Sequence, residues 1–581
     1  MNDREGSARP RERAGAFLRT ELGPNPERVR AFLRAEVALL LASFVLITFK
    51  PTNAYWTVVY VLLVTAPTVG NSVSNAVARF NASVVGCAAA VLIIIAAFDE
   101  PWLYTPLQAL ILGVALFIAR STPIGPAALT GGATFAIISG SDVGQAPAIL
   151  ITLGFYRILQ AVLGSGIGAF VDRTFWPDDP LTLLRQSLAG QIAAVEARLD
   201  GEPAKLDASR VGRHFELLSN AEVRHPALVH CRSVIAALLL DVGRLVDETL
   251  RYERLAPADP PPQALLDEAR EARRRLQSAE LFSPPPSPPP PPLPWRLAFG
   301  ETLRPARRAV LKLALSAFIA VVITQILGYA SGGALFTALA VSMQVTSGTA
   351  FSKSLLVVAG VALGLAVVLL VVVPLMPNLD DPGSFLIMAA IAFAPTAWLT
   401  VGGPRMRNAG FFGTVIVATR LFNDFRAGID LEAPAQFALT LAVGTLVVGV
   451  VDRVVWRVDA RRAMLQRAAF VMRETAELYR ERDPRVVLAP NRSSRWRIYR
   501  HVVALVQLRG ERVPLPGTPW FEPEEEALRL AAATERLVVE RIAAARRELE
   551  SGSAASEAEA RFAVAARLEA RAAEIEARAR V

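Results

Sequence analysis

Residues 154–176 read GFYRILQAVLGSGIGAFVDRTFW, an apolar run with an arginine inside it and an Asp-Arg pair at its end. With the residues before it, the run extends over roughly 148–171. A membrane-spanning helix needs about 20 apolar residues. Arg157 lies nine residues from one end of the run and fourteen from the other. At 1.5 Å per residue that is close to mid-membrane. Arginine at a helix centre costs about 2.5–3.5 kcal/mol to insert, so such a residue faces the bundle interior. Two readings of Arg157 stand on the sequence. It binds an anion on a transport path, or it serves the structure by capping the carbonyls of a broken helix or by pairing with Asp142 or Asp424. Tyr156 and Gln160 flank it, and Gln160 shares its face one turn on. A planar guanidinium suits a carboxylate, and an adjacent aromatic can stack on a ring.

The stretch has a copy. Residues 440–456 read TLAVGTLVVGVVDRVVW, so Asp172-Arg173 matches Asp452-Arg453 and Trp176 matches Trp456. Gly70, Ser74 and Gly86 match Gly348, Ser352 and Gly364 at equal spacing. Aligned through the Asp-Arg pairs, Phe437 stands opposite Arg157 and Thr440 opposite Gln160, so the arginine has no twin. Six apolar segments lie at roughly 33–49, 54–66, 75–98, 102–119, 126–140 and 148–171, and six more at 306–328, 333–346, 352–374, 383–399, 409–424 and 434–454. This predicts an all-α integral membrane protein with about twelve spans in two six-helix blocks. Six spans per block is even, so the blocks share one orientation, related by a pseudo-two-fold along the membrane normal.

The organisation follows from composition. It predicts an N-terminal arm (1–32), a first transmembrane block (33–173), a helical cytoplasmic domain (174–282), a Pro-rich linker (283–295, SPPPSPPPPPLPW), a second transmembrane block (296–456) and a helical tail (457–581). The linker is a stiff polyproline II segment. The polar N-terminus is too long for the n-region of a signal peptide, so the first apolar run reads as a retained span. The loops FKPTNA, FDEPW, SGSDVGQAP, GYASGG, MPNLDDPG and NDFRAGIDLEAP carry Lys50 and Arg426 against eight acids. The other side holds the Arg-rich N-terminus with Arg79, Arg120, Arg173, Arg307, Lys353, Arg407 and Arg453 among others. Lys and Arg mark the cytoplasmic side, which predicts both termini, the middle domain and the tail there. In the tail, Val564, Leu568 and Ile575 share one helix face, and Ser556 to Glu559 makes a capping box. These helices are expected to pack on the middle domain or on a second subunit.

The chain of 581 residues is 53% hydrophobic with a net charge of +9 and a mean hydropathy of +0.37. Arginine alternates with glutamate in the tail, which argues against nucleic acid. No G-x-x-x-x-G-K-[ST], HExxH or CxxC motif occurs, which excludes a nucleotide-driven pump of the P-loop type in this chain. Two cysteines, Cys87 and Cys231, make no disulfide framework. His225 and His230 in HPALVHC lack further ligands at a metal-site spacing. The sequence predicts no enzyme, no metal and no cofactor.

Other candidates lie at helix breaks. The second and eighth segments are short and end in APTVGNSVSN (66–75) and QVTSGTAFSK (344–353). Interrupted helices at corresponding positions are where transporters place their sites. Pro67, Gly70 and Gly348 make the breaks, and Thr68, Asn71, Ser74, Gln344 and Ser347 are the polar candidates. A helix beginning near Ser74 or Ser352 would aim free N–H groups at an anion. Arg420 is a second cation, which snorkels or joins the site. Gln325 and Gln344 also suit helix–helix hydrogen bonding, and Gly164 with Gly168 reads as small-residue packing. Asp172 and Asp452 read as topology anchors or ion pairs, with gating switches as the alternative.

Residues 55–91, YWTVVYVLLVTAPTVGNSVSNAVARFNASVVGCAAAV, resemble the first signature of the fusaric acid resistance family of inner-membrane proteins, at Tyr55, Trp56, Pro67, Gly70, Ser74, Arg79 and Gly86. YRILQAVLGSGIGAFVDRTFWP resembles that family's Arg-bearing helix ending in Trp-Pro. The resemblance implies export of aromatic carboxylic acids, such as fusaric or hydroxybenzoic acid, driven by the proton motive force across the inner membrane. It also implies a periplasmic membrane-fusion adaptor, and a homo-oligomer stays open. The second-half block lacks the proline, and the chain is shorter than usual members. A passive organic-anion channel and a non-transporting membrane scaffold are the alternative functions.

Overall fold

A computed structural model describes residues 21–51, 53–65, 72–97, 99–121, 125–141, 147–175, 179–204, 206, 210–255, 263–278, 281–282, 303–343, 347–379, 381–403, 406–422, 431–458, 460–488, 493–511, 522–551 and 558–580. Among these residues all regular structure is helical. The chain divides into two units, one of Ser7–Pro177 with Glu301–Val458, the other of Met1–Gly6, Asp178–Gly300 and Asp459–Val581. In chain order, α1 (Pro26–Phe49), α2 (Tyr55–Val64), α3 (Ser72–Ala97), α4 (Pro101–Ser121), α5 (Gly125–Ser139) and α6 (Pro147–Thr174) belong to the first unit. α7 (Pro180–Leu199), α8 (Arg210–Arg224), α9 (Arg232–Leu255) and α10 (Gln263–Gln277) belong to the second. The first unit resumes with α11 (Leu303–Ile326), α12 (Gly332–Ser342), α13 (Ser347–Val367), α14 (Pro382–Thr400), α15 (Arg407–Phe422) and α16 (Glu432–Val454). The tail forms α17 (Ala460–Arg480), α18 (Pro484–Leu488), α19 (Ser493–Glu511), α20 (Glu522–Ser551) and α21 (Ala558–Arg580).

Among the described residues, eight helices of the first unit are long and apolar enough to cross a membrane by length and composition: α1, α3, α4, α6, α11, α13 with its extension to Asn378, α14 and α16. They leave large apolar side chains such as Val85, Leu92, Phe155, Phe318, Leu370 and Ile387 exposed. Lipid covers such faces at no cost, whereas water would not. α13 passes through a π turn at Val368–Val372 just before Pro374. Proline has no N–H and its ring crowds the preceding turn, so the ladder shifts by one residue there. α2 and α12, with 10 and 11 residues, rise only about 15 Å each. They are apolar all round, and α2 buries every residue but Leu63, as a helix without a polar face must.

The pairing of α1–α6 recurs in α11–α16. Helix α2 packs on α6, α3 on α5 and α6, and α4 on α5; correspondingly α12 packs on α16, α13 on α15 and α16, and α14 on α15. Each run also grips the other in the same way, α1 on α14 and α11 on α4, α2 on α15 and α12 on α5. Glycines set the closest crossings. A Cβ at Gly86 would stand 2.1 Å from the Gly131 carbonyl oxygen, and at its counterpart Gly364 2.6 Å from that of Gly413. At Gly164 it would meet the Thr57 carbonyl oxygen at 2.4 Å. Gly164→Leu must therefore push α6 off α2. It is expected to lose about 1–3 kcal/mol, read as a lower midpoint of thermal unfolding in detergent.

The two Asp-Arg ends are ion-paired. Asp172 meets Arg34 of α1 at 3.7 Å, and Asp452 meets Lys312 of α11 at 2.6 Å. Each pair joins the first helix of a run to its last.

In the other unit, α17 and α21 share a core of Leu465, Ala469 and Met472 with Ala565, Leu568 and Ile575. The tail packs on the middle segment: Arg536 of α20 donates to Asp241 of α9 at 2.6 Å, and Arg495 of α19 donates to Ser233 at 3.2 Å. This is the first of the two arrangements expected from the amphipathic pattern. The capping box begins at Ser556, outside the described residues. Glu535 of α20 is 1% exposed, and its Oε2 accepts no hydrogen bond among the described residues. Burial pushes its carboxyl up to about 8 against the opposing charge of Arg495. The folded state thus holds a proton that the unfolded chain releases in the ordinary carboxylate range, so stability falls as pH rises from that range through about 8. Glu535→Gln is expected to flatten this dependence in pH-resolved thermal melts, and an unchanged slope would refute the assignment.

Candidate functional site

Arg157 lies on α6 and is 5% exposed. Its guanidinium carbon stands 4.4 Å from the centre of the Trp56 ring and 5.8 Å from that of Tyr55. One of its terminal nitrogens donates to Gln160 Oε1 at 3.2 Å. Gln160 in turn donates from Nε2 to the Asn53 carbonyl at 3.1 Å. Asn53 has φ of +53°, in the turn that leads into α2. The turn, α2 and α6 together hold the cation in one orientation. The close approach of α6 to α2 at Gly164 is what brings the ring and the guanidinium together.

The second run completes the surroundings. Phe437 of α16 packs on Tyr55 at 5.8 Å and on Trp56 at 6.3 Å, and Phe336 of α12 packs on Trp56 at 5.7 Å. Phe412 of α15 meets Phe336 at 5.7 Å. Phe437 is the repeat counterpart of Arg157, and both converge on the same Tyr55–Trp56 pair. On its own run Phe437 lies over Gly333, whose Cβ would stand 3.2 Å from its ring. The cation and its aromatic bed therefore exist once, and the symmetry of the fold is broken there. A desolvated guanidinium over a tryptophan gains about 2 kcal/mol. The Trp56 Nε1 is buried and has no hydrogen-bond partner among the described residues.

Of the residues singled out in the sequence, Arg157 and Gln160 come together. Tyr156 is half-buried on the same helix, about 100° round from Arg157; the rings against the guanidinium are Trp56 and Tyr55. Arg420 is 8% exposed on α15, and no described contact joins it to Arg157. Pro67, Thr68, Gly70, Asn71 and Gln344 lie outside the described residues, as do Asp142 and Asp424. Ser74 is the third residue of α3, in its first turn, and Ser347 and Gly348 open α13, so Gly348, expected as a break, is helical; their side chains are outside the described set. Sequence reasoning passed over Asn53, Phe336 and Phe437 as a contact. Only the repeat alignment, which set Phe437 opposite Arg157, pointed that way.

No curated protein and no solved structure matches the chain. A family model does match, over residues 28–227, about a third of the chain. Those residues take in α1–α6 with Arg157, Gln160 and the aromatic pair beneath them, and over that stretch the chain is similar to the fusaric acid resistance protein family.

Proposed function

We propose that this protein exports small organic anions, aromatic carboxylates by chemistry, across the bacterial inner membrane, driven by the proton motive force. One observation carries the reading: the Arg157 guanidinium, buried partway along a spanning helix, stands over the Trp56 ring and is bordered by Tyr55, on which Phe437 packs. A guanidinium binds a carboxylate with charge-assisted hydrogen bonds. The surrounding rings offer edge-to-face contacts to an aromatic acid. A buried charge in a spanning segment is retained for a path or a ligand. The apolar helices and the family match support a membrane transporter.

In this reading the chain crosses the membrane twelve times, in two blocks of six with one orientation, and both termini are cytoplasmic. The short helices α2, α5 and α12 complete their crossings together with the breaks that follow them. The segments that join α2 to α3 and α12 to α13, with the first residues of α3 and α13, line the path, with Thr68, Asn71, Ser74, Gln344 and Ser347 as its polar groups and Arg420 as a second cation. The protein works as a transporter and not as an enzyme, without cofactor or metal, beside a periplasmic adaptor.

The test uses cells lacking the chromosomal copy, loaded with para-hydroxybenzoate or fusaric acid. The wild-type chain is expected to restore uphill efflux that collapses with a protonophore. Efflux indifferent to the protonophore would mark a passive channel. No efflux of any aromatic acid, with a defect only on deleting 459–581, would mark a scaffold.

A further inference from the structure

We propose that Glu36 is the membrane-embedded proton-binding group of this protein; its role in driving export rests on the transporter reading above. The helices of the membrane unit carry few acids. Glu27, Asp172, Glu432 and Asp452 all sit within the first or last three residues of their helices. Glu36 alone lies inside one, the eleventh residue of α1. Both its carboxylate oxygens are buried, and neither accepts a hydrogen bond among the described residues.

Its surroundings explain why it meets no partner among the described residues. Helices α2, α6 and α14 pack on α1. Phe32, one turn before Glu36 on the same face, sits edge-on to Trp398 of α14 at 5.4 Å. Helix α14 has no titratable residue. On α2, Tyr55 is taken up by Phe437 and Arg157, and Tyr60 bonds Ser83 and Thr134 at 2.9 Å. On α6, Arg157 lies on Trp56 and Asp172 on Arg34, Tyr156 is half-buried and Arg173 is exposed. On α1 itself, Glu27, Arg28 and Arg30 lie in the first two turns. Arg34 points about 160° away from Glu36 round the helix, towards Asp172.

An ionised carboxylate so buried, with no donor among the described residues, is costly, whereas the neutral acid is tolerated. A carboxyl of this kind takes up a proton where it is and gives one up only when a path to water or a cation opens. That is what coupling needs: one proton bound from the outer side, one released to the cytoplasm, and no other bond made or broken. Arg157 then holds the substrate anion and Glu36 the proton, on separate helices that touch.

The experiment uses the full chain in liposomes. Dicyclohexylcarbodiimide, a lipid-soluble reagent, reacts with carboxylic acids in their protonated form. The expected result is an adduct on the peptide bearing Glu36, detected by mass spectrometry. It should fade as the pH is raised and vanish in Glu36→Gln. In the same liposomes, Glu36→Gln should exchange para-hydroxybenzoate without a gradient at the wild-type rate yet lose gradient-driven transport at least tenfold, and Glu36→Asp should recover part of it. No adduct at Glu36 at any pH would overturn the proposal, as would gradient-driven transport by Glu36→Gln at the wild-type rate. Wild-type liposomes that move no aromatic acid would overturn the exporter reading, and the carbodiimide adduct would still decide whether Glu36 binds a proton.

Discussion

Arg157→Ala is expected to abolish export of para-hydroxybenzoate while the protein still reaches the membrane. Charge-assisted hydrogen bonds to a carboxylate are worth about 1.5–3 kcal/mol, or roughly 10–100-fold in affinity. Removing an arginine from the middle of a span also removes an insertion cost of about 2.5–3.5 kcal/mol, so loss of the protein is not the expected cause. Arg157→Lys keeps the charge and loses the planar fork that lies on Trp56 at 4.4 Å. It should therefore recover only part of the transport. Trp56→Leu, which removes the bed and keeps the cation, should weaken binding more for aromatic than for aliphatic acids. Efflux assays on loaded cells, with membrane levels measured by immunoblot, check all three. Normal export by Arg157→Ala would sink the site.

The largest effect on stability is expected from Glu222→Gln in the second unit. Arg232 donates to both oxygens of Glu222, at 2.7 and 2.6 Å, and its guanidinium lies 4.8 Å from the centre of the Tyr499 ring. Both side chains are about nine-tenths buried. Burial works against the charge on Arg232, and the carboxylate beside it more than offsets that, holding the guanidinium above its ordinary range. Without the carboxylate the arginine is buried alone, which costs about 3–5 kcal/mol. The double replacement Glu222→Leu with Arg232→Met removes both charges and should return most of that stability. Chemical denaturation followed by circular dichroism on the full chain in detergent separates the outcomes. A Glu222→Gln variant as stable as the wild type would show the pair to be inert.

Arg157 could be found in the sequence because a charge in an apolar run is conspicuous against its neighbours. Its partners could not. Trp56 and Tyr55 lie about a hundred residues away, and Phe437 comes from the other run. Tyr156 drew attention by adjacency, but successive helical residues point about 100° apart. The aromatic that meets the cation had to come from another helix. Glu36 escaped notice for a related reason. The pattern AEVALLL looks like the charged edge of a span. Its distinguishing feature is a missing hydrogen bond, which no sequence displays.

Some properties are local sums along the chain. Hydropathy accumulates over twenty residues, the Asp-Arg endings and the glycine spacing repeat in register, and amphipathic periods mark the helices of the other unit. The sequence by itself therefore determined that the chain is helical, that long stretches of it belong in lipid, that its two parts echo each other, and that one helix carries an arginine where lipid should be. Side-chain contacts depend instead on where helices cross. Crossings are set by close packing at residues such as Gly164 on Thr57 and Gly86 on Gly131. Only the tertiary structure decided that Arg157 lies on Trp56, that its counterpart Phe437 reaches the same pair, that Asp172 and Asp452 have cations of their own, and that Glu36 has none among the described residues. A contact between distant helices is a property of their mutual register, and no single stretch of sequence encodes it.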